Sequence, residues 1–272
     1  MQREIIDQLN RKLSLSNKPQ RIISLVPSLT ELLYHLDLEQ QVVGITKFCV
    51  HPDHWFRQKT RIGGTKNVHY HLIDQLQPDL IIANKEENRA EDIRELEKRY
   101  PVYVTDINTL PQAISAIEEI GIITDRSVQA NKINIKITQA FDALPFPNAY
   151  MDALYLIWKN PYMSVGNDTF IHDMLESVGF KNVLENRTRY PEITVEEIVA
   201  LQPQVVLLSS EPFPFDEKHL NEIEKLLPDA HILLVDGEMF SWYGARLLYA
   251  PAYFRKIQEM VGLDRYYDTD MH

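Results

Sequence analysis

One phrase occurs twice in this 272-residue chain. Ile73-Asp74-Gln75-Leu76-Gln77-Pro78-Asp79-Leu80-Ile81-Ile82 is echoed 125 positions on by Ile198-Val199-Ala200-Leu201-Gln202-Pro203-Gln204-Val205-Val206-Leu207. Each copy reads as a short amphipathic helix running into Leu-Gln-Pro and then an apolar, β-rich strand. The strands end in polar clusters, Asn84-Lys85-Glu86-Glu87 and Ser209-Ser210-Glu211. Further on, each copy reaches a second strand ending in Asp, Val102-Tyr103-Val104-Thr105-Asp106 or Ile232-Leu233-Leu234-Val235-Asp236. A unit repeated once at this spacing predicts an α/β protein of two similar lobes with mostly parallel sheets and a ligand cleft between them.

The rest of the chain fits that frame. Arg21-Ile22-Ile23-Ser24-Leu25-Val26 is a buried strand by composition, and Ser28 with Glu31 has the form of a capping box opening a helix with Leu29, Leu32, Leu33 and Leu36 on its apolar face. Residues 41–45 repeat an apolar strand, and Lys47-Phe48-Cys49-Val50-His51-Pro52 follows as a loop. In sheets of this kind ligands sit beyond the carboxyl ends of strands, where that loop lies. Residues 125–144 space Val128, Ile135, Phe141 and Leu144 in a rough helical rhythm, which predicts one long bridging helix, ended by Pro145-Phe146-Pro147. Because the stretch lacks the Gly, Ser or Pro of a flexible linker, it reads as a stiff spacer. The second lobe begins with a strand over 152–158, and a helix over 168–178 is closed by Gly179. The expected organisation is an N-terminal lobe over 1–110, a helical connector over 111–149 and a C-terminal lobe over 150–272.

Composition excludes several functions. A net charge of −11, without a dense Lys/Arg stretch, argues against nucleic-acid binding. No apolar run approaches the roughly 18–20 residues that cross a bilayer, and residues 1–18 lack the apolar centre of a signal peptide. That leaves an exported protein whose leader is not in this sequence, or one that stays in the cytoplasm. The single Cys49 precludes an internal disulfide. There is no phosphate loop, nucleophile elbow or His-Glu-x-x-His motif, and nine glycines leave little material for nucleotide-cradling loops, so the chain reads as a binding protein and not an enzyme.

The segments Arg21-Ile22-Ile23-Ser24-Leu25-Val26-Pro27-Ser28-Leu29-Thr30-Glu31, Val43-Gly44-Ile45-Thr46, Ile62-Gly63-Gly64, Leu76-Gln77-Pro78-Asp79 and Asn160-Pro161 to Gly166 occur in an order and spacing that resembles the helical-backbone metal receptors. These are the class III substrate-binding proteins of ABC importers, and the likeness is nearest to the cobalamin-binding branch. It runs from about Asp7 to Ile257. The resemblance implies a monomeric receptor outside the cytoplasm, with no intrinsic cofactor. Its ligand would be cobalamin or another metal chelate such as haem or a ferric siderophore, and its partners would be ABC permease subunits. The rivals are a cytoplasmic corrinoid or haem carrier of the same fold, a ferric-siderophore receptor and a two-lobed metalloenzyme.

Carried over position by position, the resemblance marks Phe48, Tyr190 and Trp242 as aromatic contacts to a flat ligand, since such rings bring large area at little entropic cost. It also marks Tyr162 and Met163, the Thr65 that stands where the branch often has Trp, and Glu238 and Arg246 as polar contacts flanking Trp242. It places permease-docking carboxylates at Glu87 or Glu91 and at Glu217, where paired acidic knobs would steer and register the partner. Against these stand aromatics packed over their own lobe, and acids that only favour a helix start. His51, His54, His69 and His71 fall within 21 positions and invite a metal site. No matching His with an acidic partner appears in the second lobe, so solvent-exposed or capping histidines are the simpler reading. His51 or Cys49 remains an axial-ligand candidate.

Overall fold

Both copies of the repeated phrase build the same local structure. In the computed structural model, which describes residues 3–145 and 149–263, the helix Tyr70–Leu76 ends on Gln77 at φ 43° and ψ 62°, and the helix Val195–Leu201 ends on Gln202 at φ 44° and ψ 50°. A left-handed residue closes each helix, and the proline after it, which cannot continue one, starts the run into the strand Leu80–Asn84 or Val205–Ser209. The residue after each proline fastens its strand to a neighbour. Asp79 accepts from the backbone N–H groups of Gln20 and Arg21 at 2.7 and 2.8 Å, and its own N–H donates to the Arg21 carbonyl. Gln204 does the same with Asp152, its Oε1 accepting from the Asp152 N–H at 2.9 Å and its N–H donating to the Asp152 carbonyl at 2.8 Å.

The residues group into two units. The first holds the described residues up to Ile107, with Pro111–Ile137 and Trp242–Arg246; the second holds Asn108–Leu110, Thr138–Ser241 and the described residues from Leu247 on. The first has a five-stranded sheet in the order Thr60–Arg61, Val42–Ile45, Ile22–Ser24, Leu80–Asn84, Val102–Thr105, parallel throughout. The second has a parallel four-stranded sheet in the order Phe180–Asn182, Met151–Leu156, Val205–Ser209, His231–Val235. Every residue of Leu80–Asn84 and Val205–Ser209 is buried, which is why these strands read as unbroken apolar runs instead of alternating ones.

One local expectation changes. The helix that follows the first buried strand begins at Pro27, with Val26 as its N-cap and no side-chain cap, so Ser28 and Glu31 form no capping box. Pro27 already supplies the helical φ at the first position, and the Glu31 carboxylate is committed elsewhere. The bridging helix occupies Ser127–Asp142 and is preceded by a separate helix, Leu110–Ile123, across a turn with Asp125 at φ 59°. These helices approach closely. A Cβ on Gly121 would lie 2.4 Å from that of Ala130, and Asn134 Nδ2 donates to the Ile114 carbonyl at 3.0 Å. The boundary between the units falls within the second helix, between Ile137 and Thr138. That helix ends before Pro145; Phe146 and Pro147 lie outside the described residues. No helix among the described residues is long and apolar enough to cross a membrane.

Candidate ligand-binding site

The carboxyl edge of the first sheet is built around buried hydroxyls and amides. Asn84, the last residue of its strand, donates from Nδ2 to Thr105 Oγ1 at 3.0 Å and accepts at Oδ1 from the Glu86 N–H at 2.8 Å and the Glu87 N–H at 3.2 Å. Asn88 closes the loop, its Oδ1 accepting from the Asn84 N–H and its Nδ2 donating to the carbonyls of Thr65 at 3.0 Å and Leu25 at 3.3 Å. Two side-chain amides thus lock residues 84–88 to two neighbouring loops. Two strands over, in the loop after Val42–Ile45, the Cys49 thiol is fully buried, 3.1 Å from both Thr30 Oγ1 and Thr46 Oγ1. Burial pushes that thiol up from its ordinary pKa although both hydroxyls oppose the shift, so Cys49 is a neutral core residue and not a metal-seeking thiolate.

Phe48 rises from this edge. It is 50% exposed, its ring passes within 3.1 Å of where a Cβ on Gly64 would sit, and the Lys47 ammonium lies 5.0 Å from the ring centroid. Thr65, beside Gly64, is buried, with its carbonyl held by Asn88.

Trp242 and Arg246, placed in the C-terminal lobe by their position in the chain, pack within the first unit. Trp242 is only 8% exposed; His51 meets its ring edge-on at 5.7 Å and the Arg246 guanidinium lies over it at 5.1 Å. Arg246 grips Glu31 through Nε to Oε2 at 3.1 Å and Nη2 to Oε1 at 3.0 Å. Gly244 permits this docking. It sits at φ 93°, and a Cβ there would come 3.3 Å from both the Ser28 carbonyl and Leu32 Cβ. His35, one turn past Glu31, has its pKa lowered, first by burial and then by the Arg246 charge.

In the second unit, Tyr162–Met163 pairs antiparallel with Glu192–Ile193, and both side chains are half-buried. Tyr162 packs against the cluster that contains Leu154, Leu156 and Val206, and burial raises its phenol. The Tyr190 loop is held firmly: Gly166 N–H donates to the Arg189 carbonyl at 2.7 Å, Ser164 N–H to the Pro191 carbonyl at 3.0 Å, and Arg187 Nη2 to Glu197 Oε1 at 2.6 Å. Tyr190 itself is half-buried under the Arg189 guanidinium. Glu238 is half-buried in the short helix Gly237–Ser241, its N–H capped by Asp236 Oδ1 at 3.0 Å. Sequence reasoning passed over Trp158, 39% exposed just past the carboxyl end of Met151–Leu156, with Phe213 edge-on at 5.7 Å. Its position at a strand end was the available signal.

The four histidines of the first lobe do not converge. His51 meets Trp242, His54 meets Tyr34 and Trp55, and His69 stacks on His71 with centroids 5.9 Å apart. Among the described residues no three His, Cys, Asp or Glu side chains come together as metal ligands. The docking candidates also differ from one another. Glu91 is exposed in the first turn of Ala90–Glu97 and bonded to Arg89 at 2.7 Å, and Glu217 is exposed at the start of Glu217–Leu226. Glu87 is half-buried and does not project as a knob.

Residues 22–231 match the periplasmic binding protein family. The chain belongs to that family. It is 27% identical over 214 residues to the "Uncharacterized ABC transporter substrate-binding lipoprotein YvrC" of Bacillus subtilis (strain 168), covering 75% of this chain and 68% of that protein. It is 24% identical over 202 residues to the vitamin B12-binding protein of Vibrio campbellii, covering 72% and 73%. Among solved structures, the periplasmic vitamin B12 binding protein BtuF of Vibrio cholerae superposes with a TM-score of 0.73 at 17% identity, over 90% of this chain and 98% of that one. The periplasmic heme binding protein HutB of the same organism gives 0.75 at 22%, over 88% and 98%. As a member of this family the chain is a substrate-binding protein by descent, and its named relatives are binding proteins and not enzymes. B12-binding and heme-binding proteins share its fold, so fold alone does not separate their ligands.

Proposed function

We propose that this family member captures a planar metal chelate, a corrinoid in the first instance, outside the cytoplasm and delivers it to an ABC importer. The observation that carries this reading is Phe48: a half-exposed aromatic ring at the carboxyl edge of a parallel sheet, on a loop braced from below by Thr46 and the buried Cys49. Such a ring offers area to a flat macrocycle without the entropy of ordering a flexible chain. The names of the B12-binding relatives support the corrinoid over other chelates. In the second unit, Tyr190, Tyr162, Met163 and Glu238 are the candidate contacts, joined by Trp158. Absorbance titration and native mass spectrometry with cobalamin, cobinamide, haem and ferric hydroxamates test the reading. A one-to-one corrinoid complex is expected, and binding of none of them overturns it.

Docking on the permease is assigned to Glu91 and Glu217, the two exposed carboxylates in first turns that follow equivalent strands. Reversing both to Lys is expected to leave ligand affinity unchanged and abolish uptake by cells carrying the importer, because such charges steer and register a partner. Normal uptake by the double variant would reject the assignment.

A further inference from the structure

We propose that the hairpin near the start of the chain is an edge guard, which seals the outer edge of the first unit's sheet with three side chains and so keeps a second copy of the chain from pairing there. The guard acts whatever ligand the receptor carries. Val102–Thr105 is the outermost strand of that sheet, and all four of its residues are buried. On its inner side the Pro101 carbonyl accepts from the Ile81 N–H at 2.9 Å and the Thr105 carbonyl from the Lys85 N–H at 3.0 Å. Peptide groups alternate in direction along a strand, so those of Val102, Val104 and Asp106 face outward, where a further strand would bond.

The hairpin meets each of the three. It pairs Arg3–Ile6 antiparallel with Lys12–Leu15, and its turn brings Asp7, Gln8 and Arg11 to the strand. Asp7 Oδ2 accepts from the Val104 N–H at 3.3 Å, Gln8 Oε1 accepts from the Asp106 N–H at 2.9 Å, and Arg11 Nη2 donates to the Val102 carbonyl at 3.5 Å. Two acceptors and a donor therefore stand where a neighbouring strand would put its own carbonyls and N–H groups. The turn is held in place. Asp7, 3% exposed, also accepts from the N–H groups of Leu9 at 3.0 Å and Arg11 at 2.9 Å and from Arg11 Nε at 2.8 Å. Leu13 and Leu15 are buried, and Arg3 Nη2 donates to the Ile122 carbonyl at 3.0 Å, which fastens a two-stranded hairpin that would be marginal alone.

The seal is made by the turn, because a cleft of about 460 Å³ lined by residues 11–14 and 97–102 lies alongside it. The equivalent strand of the repeat, His231–Val235, is guarded differently: among the described residues its outer side keeps one such contact, the Tyr253 hydroxyl accepting from the Asp236 N–H at 2.7 Å. That strand is also wetter, with His231 exposed and Leu233 and Leu234 half-buried. The hairpin is thus an addition to the first copy of the repeated unit. Val102-Tyr103-Val104-Thr105 is β-branched or aromatic throughout, the composition that pairs with a copy of itself when its edge is bare. The buried Asp7 and Arg11 oppose such pairing further, since an incoming strand would have to part a desolvated carboxylate from its donors.

The test compares the wild type with the double variant Asp7→Ala, Gln8→Ala in the full chain, by amide hydrogen exchange resolved by NMR and by light scattering over a concentration series. In the double variant the amides of Val104 and Asp106 are expected to exchange about tenfold faster, for the loss of one hydrogen bond each, while those of Tyr103 and Thr105, which face the inner strand, keep their protection. Its mass is expected to rise toward a dimer with concentration, and that of the wild type is not. A folded double variant with the same mass as the wild type overturns the guard, and so does unchanged exchange at Val104 and Asp106. Circular dichroism shows whether the double variant folds. If it does not, Gln8→Ala alone decides, since it spares the buried Asp7 and Arg11: faster exchange at Asp106 with a concentration-dependent mass bears the guard out, and the absence of either overturns it.

Discussion

Arg246→Met is expected to destabilise the first unit by about 3–5 kcal/mol, the usual consequence of leaving one partner of a buried ion pair alone. The side chains of Arg246 and Glu31 are only 11% and 9% exposed, and two contacts at 3.0 and 3.1 Å join them. Removing the guanidinium strands the Glu31 carboxylate on a helix whose Leu29, Leu32 and Leu33 are buried. It also uncovers the Trp242 ring on which Arg246 lies. Urea denaturation followed by far-UV circular dichroism measures the loss. The partner change discriminates between mechanisms. Glu31→Leu combined with Arg246→Met is expected to be less destabilised than Arg246→Met alone, because two apolar groups need no desolvated charge. A single variant within about 0.5 kcal/mol of the wild type, the range typical of surface substitutions, would show that the pair contributes nothing.

Phe48→Ala is expected to weaken corrinoid binding by ten- to a hundredfold, about 1.4–2.8 kcal/mol, while leaving the melting temperature unchanged. Half of its surface is already in water, so truncation forfeits little core packing. Trp242→Ala is a poorer probe of the same idea. Trp242 is 8% exposed between His51 and Arg246, so its removal lowers stability as well as affinity. Titration of both variants with cobinamide, alongside thermal melts, separates the effects. Equal affinity for Phe48→Ala and wild type would remove Phe48 from the site.

Much of the scaffold was legible because its signals are local. Leu-Gln-Pro stops a helix and starts a strand in both copies for the same reasons, a left-handed residue and then a proline. The Gly179 terminus of Phe170–Val178 is equally local, a glycine at φ 91°. The capping box at Ser28 was misread for the opposite reason. Its Glu31 looked available within a four-residue window, and its partner lies 215 positions away.

The candidate site divides along the same line. The family resemblance named Phe48, Tyr190 and Trp242 together, because motif order carries a position and not its burial. Exposure sorted them, leaving Phe48 half-open, Tyr190 half-buried under Arg189 and Trp242 largely buried. Glu87 and Glu91 were equivalent as letters. In the folded chain Glu91 is exposed and bonded to Arg89, whereas Glu87 is half-buried with its carboxyl raised.

By itself the sequence determined two α/β units with buried parallel strands and membership in a receptor family, since apolar runs, helix stops and motif order are carried by neighbours along the chain. Only the tertiary structure decided that Trp242–Arg246 joins the first unit, that Glu31 answers Arg246, and which carboxylates stay in water. Burial and charge pairing are properties of groups brought together from distant positions, and no local pattern encodes them.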